Sequence, residues 1–140
     1  MVLKKFKFTI CCVILIFYLC LFTPPKTRLD EISNIDKLYH FIMYFGTMSV
    51  FWWEYWRACK GSGFRISPRL LLLLSMAAPI LLSGAIELIQ AYCTQGRRSG
   101  EWADFLANSL GVLLAYPFGR TCIRMLAQRI RFRSASRKNE

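Results

Sequence analysis

The stretch LLLLLSMAAPILLSGAIELIQAYC, Leu70 to Cys93, decides the fold. A membrane-spanning helix needs about 20 largely apolar residues to cross a hydrocarbon core about 30 Å thick. This run supplies that length with a single charged residue, Glu87. Working outward, three further apolar segments appear: Phe8 to Phe22, Leu38 to Trp56 and Phe105 to Gly119. The last two span a bilayer only if a few polar residues are tolerated inside them. The first is short, and even extended from Phe6 to Thr23 it is a marginal span. Pro79 inside the central run predicts a kink or locally loosened hydrogen bonding there.

The 140 residues are 55% hydrophobic and 15% aromatic, and carry a net charge of +11. That length implies one domain. The aromatic content excludes a disordered chain, and the combination of apolar and basic argues against a soluble enzyme. Nucleic acid is not an expected partner, because the positive charge caps the apolar runs instead of interleaving with aromatics. The six cysteines show no CxxC spacing, which excludes a zinc finger. Five of them lie in or beside apolar runs and read as small packing residues. The first apolar run has the basic start of a signal peptide. It lacks a small-x-small cleavage site, since Tyr18, Leu19, Cys20 and Leu21 are bulky, so it reads as an uncleaved transmembrane helix.

Charge between the runs sets the orientation. The N-terminus, the loop between the second and third helices and the tail hold 14 basic residues, against five in the other two loops. By the positive-inside rule both termini are cytoplasmic. The fold class expected is therefore all-α: an integral membrane four-helix bundle with both termini cytoplasmic. Its parts are an N-terminal transmembrane helix and outer loop (1–34), a three-helix transmembrane core (35–119) and a basic cytoplasmic tail (120–140). Trp52, Trp53, Tyr55 and Trp56 then read as an aromatic belt at the inner interface, with Glu54 and Arg57 as snorkelling anchors. Gly61 to Pro68 is a turn-rich loop. In the tail, Ile123, Leu126 and Ile130 recur at helical spacing among arginines. That suits an amphipathic helix on an anionic leaflet, or a topology-setting charge run, with disorder from Ser134 onward.

The polar residues that break the apolar pattern carry the functional signal. In this topology Asp36, Lys37, His40, Glu87, Gln90, Asp104 and Asn108 all fall at the outer membrane level, with Arg97 and Arg98 in the adjoining loop. Burying an ionised group in hydrocarbon is costly, so such residues face the bundle and pair. Asp36 and His40 are four residues apart, Glu87 and Gln90 three, and Asp104 and Asn108 four, so each pair shares a helix face. Three such faces can converge on one pocket open to the outside, with Arg98 pairing to Glu87 or Asp104. Packing glue is the alternative role, most directly for Gln90 and Asn108. Asp36 and Asp104 can instead cap their helices. The lone His40 with these carboxylates could ligate a divalent metal, though spacing alone is a weak signal for it, and no cofactor or soluble-enzyme motif is present.

Asp36-Lys37-Leu38-Tyr39-His40-Phe41 with Tyr44 resembles the DKxxHFxxY motif of the VanZ-like family. Glu87-Leu88-Ile89-Gln90 resembles its ExxQ motif. Arg98 with Asp104, Asn108 and Gly111 is similar to its R-x5-D-x3-N-x2-G motif. The matches run from about Ile35 to Gly119, in order. The resemblance implies a multi-pass protein of the bacterial inner (plasma) membrane, in a family whose founding member is linked to low-level teicoplanin resistance. It leaves the biochemical activity open. Two functional classes fit the residues. In the first, Asp36, Lys37, His40, Glu87, Gln90, Arg98, Asp104 and Asn108 bind a membrane lipid, a lipid-linked envelope component or a membrane-protein partner. In the second, the chain is an intramembrane enzyme acting on a lipid-linked, phosphate-containing wall precursor. There His40, Glu87 or Asp104 would serve as acid or base, and Lys37 and Arg98 would hold phosphate. Binding is favoured, because no nucleophile or second His marks a reaction. A proton-coupled carrier ranks third.

Overall fold

The computed structural model describes residues 3–22, 35–93 and 100–136, and every regular element among them is helical. A 3-10 turn, Leu3–Lys5, leads into α1, Lys7–Leu21. Helix α2 is Ile35–Ser62, α3 is Pro68–Cys93 and α4 is Trp102–Ser136. The turn from α2 into α3 uses Gly63 at φ 62°, a left-handed conformation open to glycine. Ser67 caps α3 by accepting from Leu70 N–H at 3.4 Å, with Pro68 as the first helical residue.

Pro79 acts one turn earlier than its own position. It has no N–H to give Ser75, and Leu73–Ala77 winds as a π-turn in which Ala78 N–H reaches Leu73 C=O, five residues back. Ser75 turns its hydroxyl onto Leu71 C=O at 2.6 Å. Helix α4 carries a second interior proline, Pro117, and runs unbroken past Gly119 into the basic tail. Residues 134–136, expected to be disordered, belong to this helix; 137–140 lie outside the described residues.

The contacts fix an up-down-up-down order. The start of α1 meets Glu54 near the end of α2, while Cys20 near its end meets Gln90 near the end of α3. Helices α2 and α4 run parallel and pack most extensively. Gly111 sits on the α2 backbone at Phe41 and Phe45, and Gly119 on the Trp52 ring. Gly111, Ala115 and Gly119, spaced four apart, form a stripe without bulky side chains that lets the two backbones close up. Tyr44, Met48, Phe51, Trp52, Ile86, Val112 and Ala115 form the centre of the core.

Two expectations at the basic end are corrected. Trp52 is 3% exposed and belongs to the core, not to an interfacial belt, whereas Trp53 is exposed with Arg57 4.8 Å over its ring. Glu54 is buried, not snorkelling. Its Oε1 accepts from Phe8 N–H at 3.0 Å, and its Oε2 accepts from Thr9 N–H at 2.9 Å and Thr9 Oγ1 at 2.7 Å. The first N–H groups of a helix have no intrahelical partner, and α1 finds its cap on the neighbouring helix. The cysteines are all free thiols, and only Cys20 is buried.

Among the described residues, α3 alone is by length and composition clearly fit to cross a membrane. Its 26 residues include an 18-residue window of mean hydropathy 2.0, of which 22% is buried inside the protein. That apolar surface faces outward, unlike the core helix of a water-soluble domain. Helix α1 is apolar but has only 15 residues.

Candidate functional site

The N-terminal ends of α2 and α4 and the C-terminal end of α3 meet at one end of the bundle. Helix α4 begins just after Glu101, whose carbonyl accepts from Asp104 and Phe105 N–H. Asp104 therefore lies in the first turn instead of capping it, and Asp36 likewise lies in the first turn of α2. Both carboxylates remain available to the space between the helices.

Lys37 is the hub of the wetter half. Its Nζ lies 2.7 Å from Asp36 Oδ2, 2.6 Å from Glu101 Oε2 and 3.2 Å from Asp104 Oδ1. It donates to both Asp36 and Glu101, which fixes the ammonium at the mouth of the cluster. Three carboxylates already surround this lysine, so it does not present the free cation expected to hold a phosphate.

The drier half is built on His40. Its Nδ1 lies 3.2 Å from Asn108 Oδ1 and its Nε2 3.5 Å from Asp104 Oδ2. Asn108 donates from Nδ2 to Ser83 Oγ at 2.8 Å, so α2, α3 and α4 are tied through one chain of polar groups. In that amide orientation Asn108 Oδ1 accepts, which makes Nδ1–H the donor and turns Nε2 toward Asp104 Oδ2, as a lone pair in the neutral ring and as a donor in the imidazolium. Glu87 enters from α3, and its Oε2 accepts from Glu101 N–H at 3.1 Å. Gly100 packs against the α3 backbone at Glu87, where no side chain would fit. Reactive atoms of His40, Glu87 and Asp104 all lie within 4.8 Å of one another. Glu87 and Asp104 are each 7% exposed. Glu87 Oε1 accepts no hydrogen bond, and Asp104 Oδ1 has the Lys37 ion pair without a well-directed hydrogen bond. A buried carboxylate short of partners is costly, and a counter-group or an added proton relieves it.

The structure thus brings Asp36, Lys37, His40, Glu87, Asp104 and Asn108 together. Gln90 points elsewhere: its Nε2 donates to Cys20 C=O on α1 at 2.7 Å, which pins α1 to α3. Arg98, and with it the expected pairing to Glu87 or Asp104, lies outside the described residues. Sequence reasoning misses two members. Glu101 reads only as loop charge, although it lies three residues before Asp104. Ser83, four residues before Glu87, reads as part of an apolar run, although that spacing puts both on one face of α3.

Beside the cluster a groove of about 620 Å3 runs between α3 and the start of α4. Glu87 and Glu101 stand in its wall, and Leu81, Leu88, Trp102 and Phe105 make the remainder largely apolar. The basic side chains Lys4, Lys5, Lys7 and Arg57 gather at the opposite end of the bundle, around Glu54.

No curated protein and no solved structure matches the chain. A family model described as VanZ/LLP1 matches residues 4–124. That span takes in α1, α2, α3, α4 as far as Arg124 and every described member of the polar cluster, and on it the chain belongs to the VanZ/LLP1 family.

Proposed function

We propose that this is a multi-pass protein of the bacterial plasma membrane, with four spans and both termini cytoplasmic. Its polar cluster faces outward and binds the headgroup of a lipid-linked envelope component, and through that binding the protein contributes to teicoplanin tolerance. One observation carries the reading: the buried polar cluster shares Glu87 and Glu101 with an outward-open apolar groove. A polar pocket at the membrane surface with an apolar channel leading away from it suits an amphiphile, whose head and chain need those two environments. The charge pattern supports the orientation, since basic residues collect at the end away from the cluster.

A second reading rests on His40. Held by Asn108 on one nitrogen and facing Asp104 with the other, it has the setting of a general base. In that case the chain is an intramembrane enzyme on the same class of lipid.

The test is tolerance to teicoplanin in a host expressing the protein, with membrane abundance measured in parallel. Glu87→Gln, His40→Gln and Asp104→Asn should each lower tolerance at normal abundance. A partial loss that added ligand restores supports binding; a complete loss that ligand cannot restore supports catalysis. Full tolerance from all three variants would mean that the cluster is structural and refute the proposal.

A further inference from the structure

We infer that His40, Glu87 and Asp104 bind a divalent transition-metal ion. In the sequence one histidine with scattered carboxylates is only a weak metal signal; the fold brings their donor atoms together. Three features point to a cation. First, the described cluster sets the carboxylates of Asp36, Glu87, Glu101 and Asp104 against the single cation Lys37. Second, Glu87 is more than nine-tenths buried, one of its carboxylate oxygens lies within 4.8 Å of the His40 and Asp104 donor atoms, and among the described residues its Oε1 has no hydrogen bond. Third, His40 is oriented as metal-ligating histidines are, with one ring nitrogen on an amide oxygen and the other turned to the shared space.

The size fits. With donor atoms no more than 4.8 Å apart, a point equidistant from all three lies up to about 2.8 Å from each. Nitrogen and carboxylate oxygen bind zinc at about 2.0–2.2 Å, so each side-chain tip has to move by under about 1 Å. One imidazole and two carboxylates suit zinc or manganese better than calcium, which prefers six to eight oxygens. Three protein ligands also leave an open coordination position. That position would take a phosphate oxygen of the headgroup, and this last step rests on the envelope-lipid reading above. It would also supply the phosphate contact that Lys37, engaged by three carboxylates, does not offer.

The experiment uses the full chain in detergent, stripped with chelator, then titrated with Zn2+ or Mn2+ and separately with Ca2+. One transition-metal ion per chain is expected, with Ca2+ bound more weakly. His40→Gln, Glu87→Gln and Asp104→Asn should each weaken affinity at least about tenfold, and Asn108→Leu, which frees the imidazole, about 10–100-fold. Cys11→Ser, which removes an exposed thiol on α1 outside the cluster, should leave affinity unchanged. Co2+ absorption of the unmodified chain reports imidazole and carboxylate ligation without relying on any variant's folding. Substoichiometric binding, or His40→Gln binding like the parent chain, overturns the inference. Flotation with vesicles containing a polyprenyl phosphate, with and without chelator, separates the two claims. Lipid binding by a chain that takes up no metal defeats the metal site and leaves the proposed function standing. Metal uptake with lipid binding indifferent to chelator keeps the ion and refutes its contact with the headgroup.

Discussion

Replacing Gly111 by alanine tests how closely the site depends on the α2–α4 contact. A Cβ there would lie 2.6 Å from Phe41 O and 3.0 Å from Phe45 N, both backbone atoms that cannot rotate away. A carbon normally approaches a carbonyl oxygen to about 3.3–3.6 Å, so the helices must part by about 0.7–1 Å. The His40–Asn108 contact at 3.2 Å, three residues along α4, would open to about 4 Å and cease to be a hydrogen bond. Overpacking costs about 1–3 kcal/mol and the lost bond about 1 kcal/mol. Alanine's better helix propensity returns up to about 1 kcal/mol. The net destabilisation expected is about 1–3 kcal/mol, read by denaturant unfolding in mixed micelles with tryptophan fluorescence. Gly46, where an added methyl would meet nothing within 4 Å, is the internal control. Gly46→Ala should be neutral or stabilising by up to about 1 kcal/mol. If Gly111→Ala is as stable as the parent chain, the close crossing of α2 and α4 is wrong.

Three further outcomes are expected. Glu54→Leu removes the cap that α2 lends to α1, costs about 1–2 kcal/mol, and should speed amide exchange at Phe8 and Thr9 without affecting α4. Lys37→Met should destabilise the chain by about 1–3 kcal/mol, most of it from leaving buried Asp104 short of a partner, because the pairs with exposed Asp36 and Glu101 contribute little. Reporter fusions after Lys26 and Arg98 should read extracytoplasmic, and those at Ser62 and the C-terminus cytoplasmic; the reverse pattern would turn the cluster inward.

The all-helical architecture is legible in the sequence because long apolar runs need no side-chain geometry to be read. The pairs Asp36–His40 and Asp104–Asn108 are legible because helical spacing alone puts them on shared faces. What fails is the choice of partner. Glu54 stands among aromatics, and its neighbours imply an interface; nothing local says that a helix terminus 46 residues away requires its carboxylate. Gln90 shares a face with Glu87, yet the carbonyl of Cys20 claims it across the bundle. Trp52 follows the aromatics beside it into a belt, when Gly119 on another helix makes the space it fills. The stripe of Gly111, Ala115 and Gly119 is a readable signal, since four-residue spacing of small side chains marks close helix packing; the longer apolar run around it hides it. Pro117 lies inside α4, and the structure accommodates it without ending the helix.

The central claim is that an amphiphile places its head in the cluster and its chain in the groove between α3 and α4. The most direct measurement is photolabelling in vesicles with a polyprenyl phosphate bearing a diazirine near its headgroup, followed by mapping of the labelled residues. The account predicts label concentrated on Leu88, Trp102 and Phe105, displaced by unlabelled polyprenyl phosphate but not by bulk phospholipid, and reduced by Glu87→Gln. Label spread evenly over the apolar faces of α1, α3 and α4, indifferent to competitor, would contradict it.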